Sequence, residues 1–279
     1  MMVITVSRSY GSAGSLFARR IADALGFVYV DEEFVNKIGR DPEVSGALLM
    51  SLEDEPSPSL LQRSKDLLSR KSFFKLALSA CIYDFALKHD IVFVGGGAHF
   101  VLEHYPGLLS IQVVRNMSDR IRDISADKNI SYEEALDLIE QKDRAKNKFI
   151  GYYFDSDLFD PLKFHITFNA SLVSLDEALT FSVSLARRHF SEVNREEAQI
   201  FLQRKLLEKK AEILLAGRDS AGDFGKVAFE ATSVDTLIVK GVIGSEEKKR
   251  RLLKALWNLR ELKGVEDQLK VGVLSRLIY

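Results

Sequence analysis

Apolar and polar positions fall in blocks whose period changes along the chain. Val3-Ile4-Thr5-Val6 is a β-branched run that ends in Ser7-Arg8-Ser9-Tyr10-Gly11-Ser12-Ala13-Gly14. Phe17, Ile21, Ala24 and Leu25 then recur at helical spacing, and Gly26 stops the helix. Phe27-Val28-Tyr29-Val30 reads as a second strand, closed by Asp31-Glu32-Glu33. The order strand, glycine loop, helix, strand predicts the opening of a parallel α/β domain.

Residues 40–72 break this rhythm. Asp41-Pro42, Gly46 and Glu53-Asp54-Glu55-Pro56-Ser57-Pro58-Ser59 predict a loop-rich excursion with one or two short helices and no packed strand. Regular pattern then resumes, with a helix over Phe73 to Lys88. Ile91-Val92-Phe93-Val94 is continuously apolar, as buried parallel strands are. Gly95-Gly96-Gly97 and a helix through Leu102 follow. Leu109 to Val114 reads as a strand, and Ser118 to Ala126 and Ser131 to Lys146 as two polar-faced helices. The second opens with a capping box, Glu134 standing three residues after Ser131. His165 to Phe168 is the expected last strand and Leu175 to His189 its closing helix.

From about Arg195 the pattern changes again. A helix (Glu196 to Leu215) and a Gly/Asp/Ser-rich break (Gly217 to Asp223) precede two strands (Lys226 to Ala231, Asp235 to Val242). A helix (Ser245 to Leu262) and a last strand (Val265 to Val271) follow. Strands in series beside helices predict an α+β module. The expected division is therefore 1–192 and 193–279.

Composition narrows the function classes. The chain has 279 residues and a formal net charge of -1, so it lacks the basic excess of a nucleic-acid binder, and no nucleic-acid partner is expected. The single cysteine, Cys81, excludes a disulfide framework within the chain; its apolar helical neighbours predict a buried, inert thiol. No apolar run reaches the roughly 20 residues of a membrane span. With no basic flank before the first strand, a cytoplasmic location is expected. Histidines 89, 99, 104, 165 and 189 show no metal-ligand spacing.

A glycine loop between strand and helix presents backbone N–H groups and a helix N-terminus to an anion. Set on the phosphate-cradling frame G-x-x-x-x-G-K-[ST], the chain reads Arg8-Ser9-Tyr10-Gly11-Ser12-Ala13-Gly14-Ser15. Only Ser15 fits; Arg8 and Ala13 replace the glycines, and Gly14 stands where the lysine belongs. The plain alternative is a tight strand-to-helix turn. The dinucleotide code G-x-G-x-x-G is matched by two glycines of three, with Asp31 beyond.

Ile4 to Gly14, followed by Ala18-Arg19-Arg20-Ile21-Ala22, resembles the opening of the cytidylate kinase-like family: a strand, S-R-x-Y-G-S-G-G, then a helix bearing A-R-R-L-A. Val92-Phe93-Val94-Gly95-Gly96-Gly97-Ala98 is similar to the family's V-I-V-G-R-G-A. Asp119-Arg120-Ile121, the capped helix at Ser131, Asp143, Asp160-Pro161 and Asn169 fall in family order, over roughly residues 3–187. The resemblance implies an α/β fold with a P-loop-kinase-like parallel sheet wrapped by helices, a monophosphate-binding arm and a mobile lid. The tail, with Thr236 to Ile243, a helix, and Lys263-Gly264-Val265 to Val271, resembles a BON domain, with Gly241 and Gly264 as its turn glycines. That family is associated with lipid, membrane or small-ligand binding; a packing or self-association module is the plain alternative.

The resemblance implies nucleotide or phosphate contacts from Arg8, Tyr10, Gly11, Ser12, Ala13, Gly14, Ser15 and Gly96; Asp31, just past a strand at the carboxyl edge of the sheet, is a candidate monophosphate or ribose contact. The resemblance also implies catalytic charge from Arg120, Arg144 and Lys146, a magnesium contact at Ser15, and ATP with Mg²⁺ as cofactors of an active enzyme. Departures cluster on the charge-supplying positions. The loop lysine of true cytidylate kinases is Gly14, the basic residue that many members of the divergent family carry next is Ser15, and the arginine of V-G-R-G-A is Gly96. The second arginine after Arg120 is Asp123, and the lid arginine is Lys146. Losing one preorganised donor costs about 10²–10³ in rate. The plain readings are an N-cap for Asp31, a turn for Gly95–Gly97, solvated helix faces for Arg120 and Arg144, and a solvated basic run at Lys248 to Arg251. The expected function is a cytidylate kinase-like binder of a nucleotide or other phosphate-bearing small molecule, a pseudoenzyme with a degenerate loop. The alternatives are an active ATP-dependent nucleoside monophosphate kinase, and a membrane-surface or scaffold protein whose C-terminal domain binds lipid, a small ligand or itself.

Overall fold

A computed structural model describes residues 1–31, 64–216 and 226–272. The elements in order are β1 (Val3–Arg8), α1 (Gly14–Leu25), β2 (Val28–Val30), α2 (Ser64–Lys88), β3 (Ile91–Val94), α3 (Ala98–Val101) and β4 (Leu108–Val114). Then come α4 (Met117–Lys128), α5 (Tyr132–Phe154), a 3₁₀ turn (Pro161–Lys163), β5 (Ile166–Asn169) and α6 (Leu175–Glu192). The last are α7 (Arg195–Ala216), β6 (Lys226–Ala231), β7 (Thr236–Ile243), α8 (Glu246–Leu256) and β8 (Gly264–Val271). The described residues form two compact units, 1–31 with 88–198 and 64–87 with 199–272. The expected cut at 192 falls between α6 and α7, and most of α2 groups with the second unit.

The first unit is an α/β layer around a five-stranded parallel sheet of order β2-β3-β1-β4-β5. Its two faces differ because the side-chain period of a strand is two. Ile4, Val6, Val92, Val94, Leu109, Ile111 and Val113 share one core with Phe17, Ala18, Ile21 and Ala22 of α1 and Ala178, Ala186 and Phe190 of α6. Each large apolar side chain buried there contributes about 1.5–3 kcal/mol. The opposite face carries Thr5, Ser7, Ser110 and Gln112, all buried, and Thr167. The chain that crosses this face meets part of it, while the buried Thr5 hydroxyl has no hydrogen-bond partner among the described residues. Gln112 donates to the Leu158 carbonyl at 2.7 Å and accepts from the Thr167 hydroxyl at 3.2 Å. The Ser110 N–H donates to His165 Nδ1 and the His165 N–H to Ser110 Oγ, each at 3.0 Å.

Three helical expectations are revised. α2 begins at Ser64, so part of the stretch expected to be loop is helix. α5 runs to Phe154 instead of Lys146, because Ile150 and Tyr153 continue its buried face; it ends where Asp155 turns left-handed and its N–H reaches the Gly151 carbonyl. The tail helix stops at Leu256 and continues as turns. The capping box at Ser131 is present, with a second at Ser174–Glu177. Cys81 is half-buried, not fully enclosed as its neighbours suggested.

The second unit holds the sheet β6-β7-β8, antiparallel then parallel, the α+β pattern expected. Leu207, Ala211, Phe229, Leu237, Val239, Leu252, Leu256 and Leu269 are among its core residues. Gly241 lies inside β7 and not in a turn; a Cβ there would stand 1.9 Å from the Lys226 carbonyl oxygen. Of the basic run on α8, Lys249 is bound to Asp267 at 2.7 Å and to the Leu269 carbonyl at 3.2 Å, while Arg250 and Arg251 are exposed. No helix among the described residues is long and apolar enough to cross a membrane.

Candidate functional site

Parallel pairing brings the carboxyl ends of all five strands to one edge, where open α/β sheets bind ligands. Arg8, Asp31, Gly95–Gly97, Arg115 and Ala170 follow or end strands there. Residues 9–13 turn from β1 into α1. Gly11 has φ +79°, and Ala13, the N-cap of α1, has φ +62° and ψ 14° with no side-chain capping bond. Left-handed backbone costs a non-glycine residue about 1–2 kcal/mol. Ala13 therefore holds strain where the family pattern has glycine. Ser12 is fully buried and its hydroxyl donates to the Ser9 carbonyl at 2.9 Å, which fixes the turn from inside. Ala13 offers no side-chain cap to the dipole and orphan N–H groups of the α1 N-terminus, a setting that favours an anion.

The turn is also clamped from outside. Asp143, on α5, accepts the Tyr10 N–H at 2.7 Å through Oδ1. Its Oδ2 accepts from Arg120 Nη1 at 2.6 Å, and the same Nη1 donates to the Tyr10 carbonyl at 3.1 Å. The two side chains are 8% and 14% exposed, so the pair is shielded from solvent. The Tyr10 ring packs on Ile121, Ala135 and Ile139 of the α4–α5 pair. Arg120 thus differs from the solvated residue that a polar helix suggests: it is buried and bound to a carboxylate.

Other cations of the region are engaged as well. Arg115 meets Asp123 at 2.6 Å, and Arg122 meets Asp119 and Asp123 at 3.1 Å each. Burial works to raise the Asp123 carboxyl, but hydrogen bonds from Arg115 and Arg122 outweigh it and hold the group below its ordinary value. Arg144 forms an exposed i,i+4 pair with Glu140 at 2.9 Å, the solvated-face reading of that residue. Lys146 Nζ lies 5.8 Å from the centre of the Tyr10 ring, which places it beside the loop. Arg19 lies over the Tyr29 ring at 4.2 Å. Arg8 Nε donates to Ser15 Oγ at 3.1 Å.

Gly95, Gly96 and Gly97 are all left-handed, with φ of 69°, 63° and 77°. A Cβ at Gly97 would come within 2.3 Å of the Phe154 ring, so packing accounts for that glycine. Gly96 sits partly exposed in the turn after β3. Asp31 directly follows β2; the helix it was expected to cap at Glu33 lies outside the described residues, as does most of the 40–72 excursion. Nearby, His99 is 4% exposed and stacks on Phe164 with centroids 4.6 Å apart. Burial pushes its imidazole down to about 4, against the opposing pull of Glu103. Burial, then His189, lowers His165.

An anionic phosphate fits the α1 N-terminus and the loop before it. Magnesium at Ser15 fits less well. The hydroxyl oxygen already faces the Arg8 guanidinium, and a divalent cation on the same oxygen would meet that positive charge. The residue that motif reading left without a role is Asp143. The resemblance placed Asp143 only in family order, and its partner, Tyr10, lies 133 residues away.

The model of the cytidylate kinase-like family matches residues 3–172. No curated protein matches. Among solved structures, an uncharacterized protein from Eubacterium ventriosum ATCC 27560 is 15% identical; the alignment covers 69% of this chain and 100% of that one with a TM-score of 0.52. Shikimate kinase from Acinetobacter baumannii, solved with shikimate, is 12% identical over 70% of this chain and 96% of that one, TM-score 0.38. Shikimate kinase from Bacteroides thetaiotaomicron is 12% identical over 68% and 98%, TM-score 0.38. The first likeness bears on the fold alone.

Proposed function

The chain belongs to the cytidylate kinase-like family, and we propose that it binds a nucleotide or another phosphate-bearing small molecule at the β1–α1 loop without transferring phosphate. The observation that carries the reading is the state of the charged groups around that loop. Phosphoryl transfer needs positive charge held on the transferring group and little else from protein. Here Gly14 stands where the phosphate-cradling frame has its lysine, and Gly96 where V-I-V-G-R-G-A has its arginine, so neither position brings charge. Arg120 is bound to Asp143 at 2.6 Å, and Arg144 points its charge to Glu140 on an exposed face. Each missing donor is worth about 10²–10³ in rate, so the losses together leave binding as the retained activity. The α1 N-terminus supports anion binding independently of those side chains.

The C-terminal sheet is proposed to act as a BON-like accessory module that reports ligand binding or mediates self-association. Its support is the β7–α8–β8 order, with Gly264 opening β8.

Equilibrium titration of the full chain with ATP, CMP and UMP tests the reading. Saturable binding of at least one of them is expected. Absence of saturable binding across the set would overturn it.

A further inference from the structure

The β6-β7-β8 sheet has one covered face and one open face. Leu237, Val239 and Ile243 of β7 share a core with Leu207 of α7 and Leu252 and Leu256 of α8. Successive residues of a strand point to opposite sides, so the alternate positions form the second face. Register arranges that face in three rows across the strands. Glu230, Ile238 and Glu266 stand side by side at one end. Ala228, Lys240 and Gln268 make the middle row, and Lys226, Val242 and Lys270 the row at the other end. In every row the β6 and β8 members are exposed and the β7 member is half-buried.

One end of the face is therefore acidic and the other basic, each with a branched apolar residue at its centre. Lys240 binds Glu230, so the middle cation leans toward the acidic end. This pattern is complementary to itself in one orientation. A second copy whose strands run parallel to these would lay acid on acid and base on base. A copy turned about an axis along the middle row runs antiparallel. It sets Glu230 over Lys226 of the partner subunit, Glu266 over Lys270 of the partner subunit, and Ile238 over Val242 of the partner subunit. The two Lys240 side chains meet nearest the axis, where each is drawn away from the other by its own Glu230. Three strands about 4.8 Å apart make a narrow face. The contact belongs to the small, transient class, below about 1,200 Å² in total. In that class charge pattern, more than area, fixes the register.

We infer that this open face is where a second copy of the chain docks, sheet against sheet with strands antiparallel. The inference rests on the self-association reading of the C-terminal module and adds the surface and the orientation. Sheets stack about 10 Å apart, a gap that lysine and glutamate side chains from the two copies can span together.

The test is sedimentation velocity of the full chain over a range of concentrations, at low and high salt. Wild type is expected to form reversible dimers that weaken as salt rises. Glu230→Lys/Glu266→Lys makes the face basic throughout, and Lys226→Glu/Lys270→Glu makes both end rows acidic. Each alone is expected to weaken self-association by more than about tenfold, because like charges then oppose each other. An equimolar mixture of the two is expected to recover dimers. Dimers that persist in both double variants, or a mixture that stays monomeric, would overturn this face while sparing self-association through another surface. Wild type that is monomeric throughout would overturn both, and would leave the nucleotide-binding reading untouched. Should a double variant fail to fold, Ala228→Cys is compared with wild type for trapping by a bismaleimide. Antiparallel docking stacks position 228 of the two copies, so more trapped dimer than wild type gives through Cys81 is expected. Trapping at the wild-type level would refute the orientation.

Discussion

Asp143→Ala removes one carboxylate that serves two partners. It takes the acceptor from the Tyr10 N–H at 2.7 Å and the counter-charge from Arg120 at 2.6 Å. Arg120 cannot simply turn to water, since its side chain is 8% exposed. Breaking a buried pair by deleting one partner costs about 3–5 kcal/mol, most of it the uncompensated charge left behind. Asp143 is 14% exposed, so the lower end applies, and we expect about 3 kcal/mol. Glu140→Ala is the control. It breaks the Arg144 pair, whose members are 64% and 42% exposed, and such pairs contribute about 0.3–0.5 kcal/mol. Two compact units make a single melting curve a poor readout for one of them. Amide hydrogen exchange in peptides from β1, α1 and β4 reports the first unit directly. The account predicts a large loss of protection there for Asp143→Ala and almost none for Glu140→Ala. Arg120→Met/Asp143→Leu should recover part of the loss, because no buried charge then remains. Equal, small effects of Asp143→Ala and Glu140→Ala would refute the clamp.

Ala13→Gly is expected to stabilise the first unit by about 0.5–1 kcal/mol, the relief of left-handed strain less the added freedom of the unfolded chain, as read by hydrogen exchange. Gly97→Ala is expected to destabilise it, because the new methyl would meet the Phe154 ring at 2.3 Å; unchanged protection at β3 would contradict this. Acid should weaken the first unit before its carboxylates titrate. His99 has a folded value near 4 against about 6.5 unfolded, so the unfolded chain takes up the proton first. The stability that neutral His99 supplies is complete above pH 6.5 and is lost as pH falls toward 4, in total about 3 kcal/mol. His165 adds in the same direction, since its Nδ1 accepts the Ser110 N–H only when unprotonated. His99→Leu should flatten the pH dependence between 6.5 and 4.

The strands and the turn between β1 and α1 were legible because their signals are local. Val3 to Val6 and Ile91 to Val94 are short apolar runs bounded by glycine loops, and the structure places them as adjacent parallel strands. The Ser131 box likewise needs only four residues to be read. The helix ends were less legible: α5 outruns its expected stop because Ile150 and Tyr153 continue a buried face that residues 143–148, all polar or charged but for Ala145, seemed to close. Side-chain roles at the site were not legible at all where they depend on distant partners. Arg120 looks solvated on a polar helix, and only the fold brings Asp143 and Tyr10 to it. The same holds for Arg8, whose Cβ stands 2.6 Å from where a Cβ at position 14 would lie because β1 and α1 fold back on each other.

The central claim is binding without turnover, and product formation tests it most directly. The purified chain, at high concentration, is incubated with Mg·ATP and CMP, dCMP, UMP, AMP or GMP, and nucleotides are separated by chromatography. The account predicts saturable nucleotide binding by the same preparation and no diphosphate from any acceptor. A diphosphate that forms with wild type and disappears with Arg8→Gln would contradict it, and would make the loop that of a working kinase.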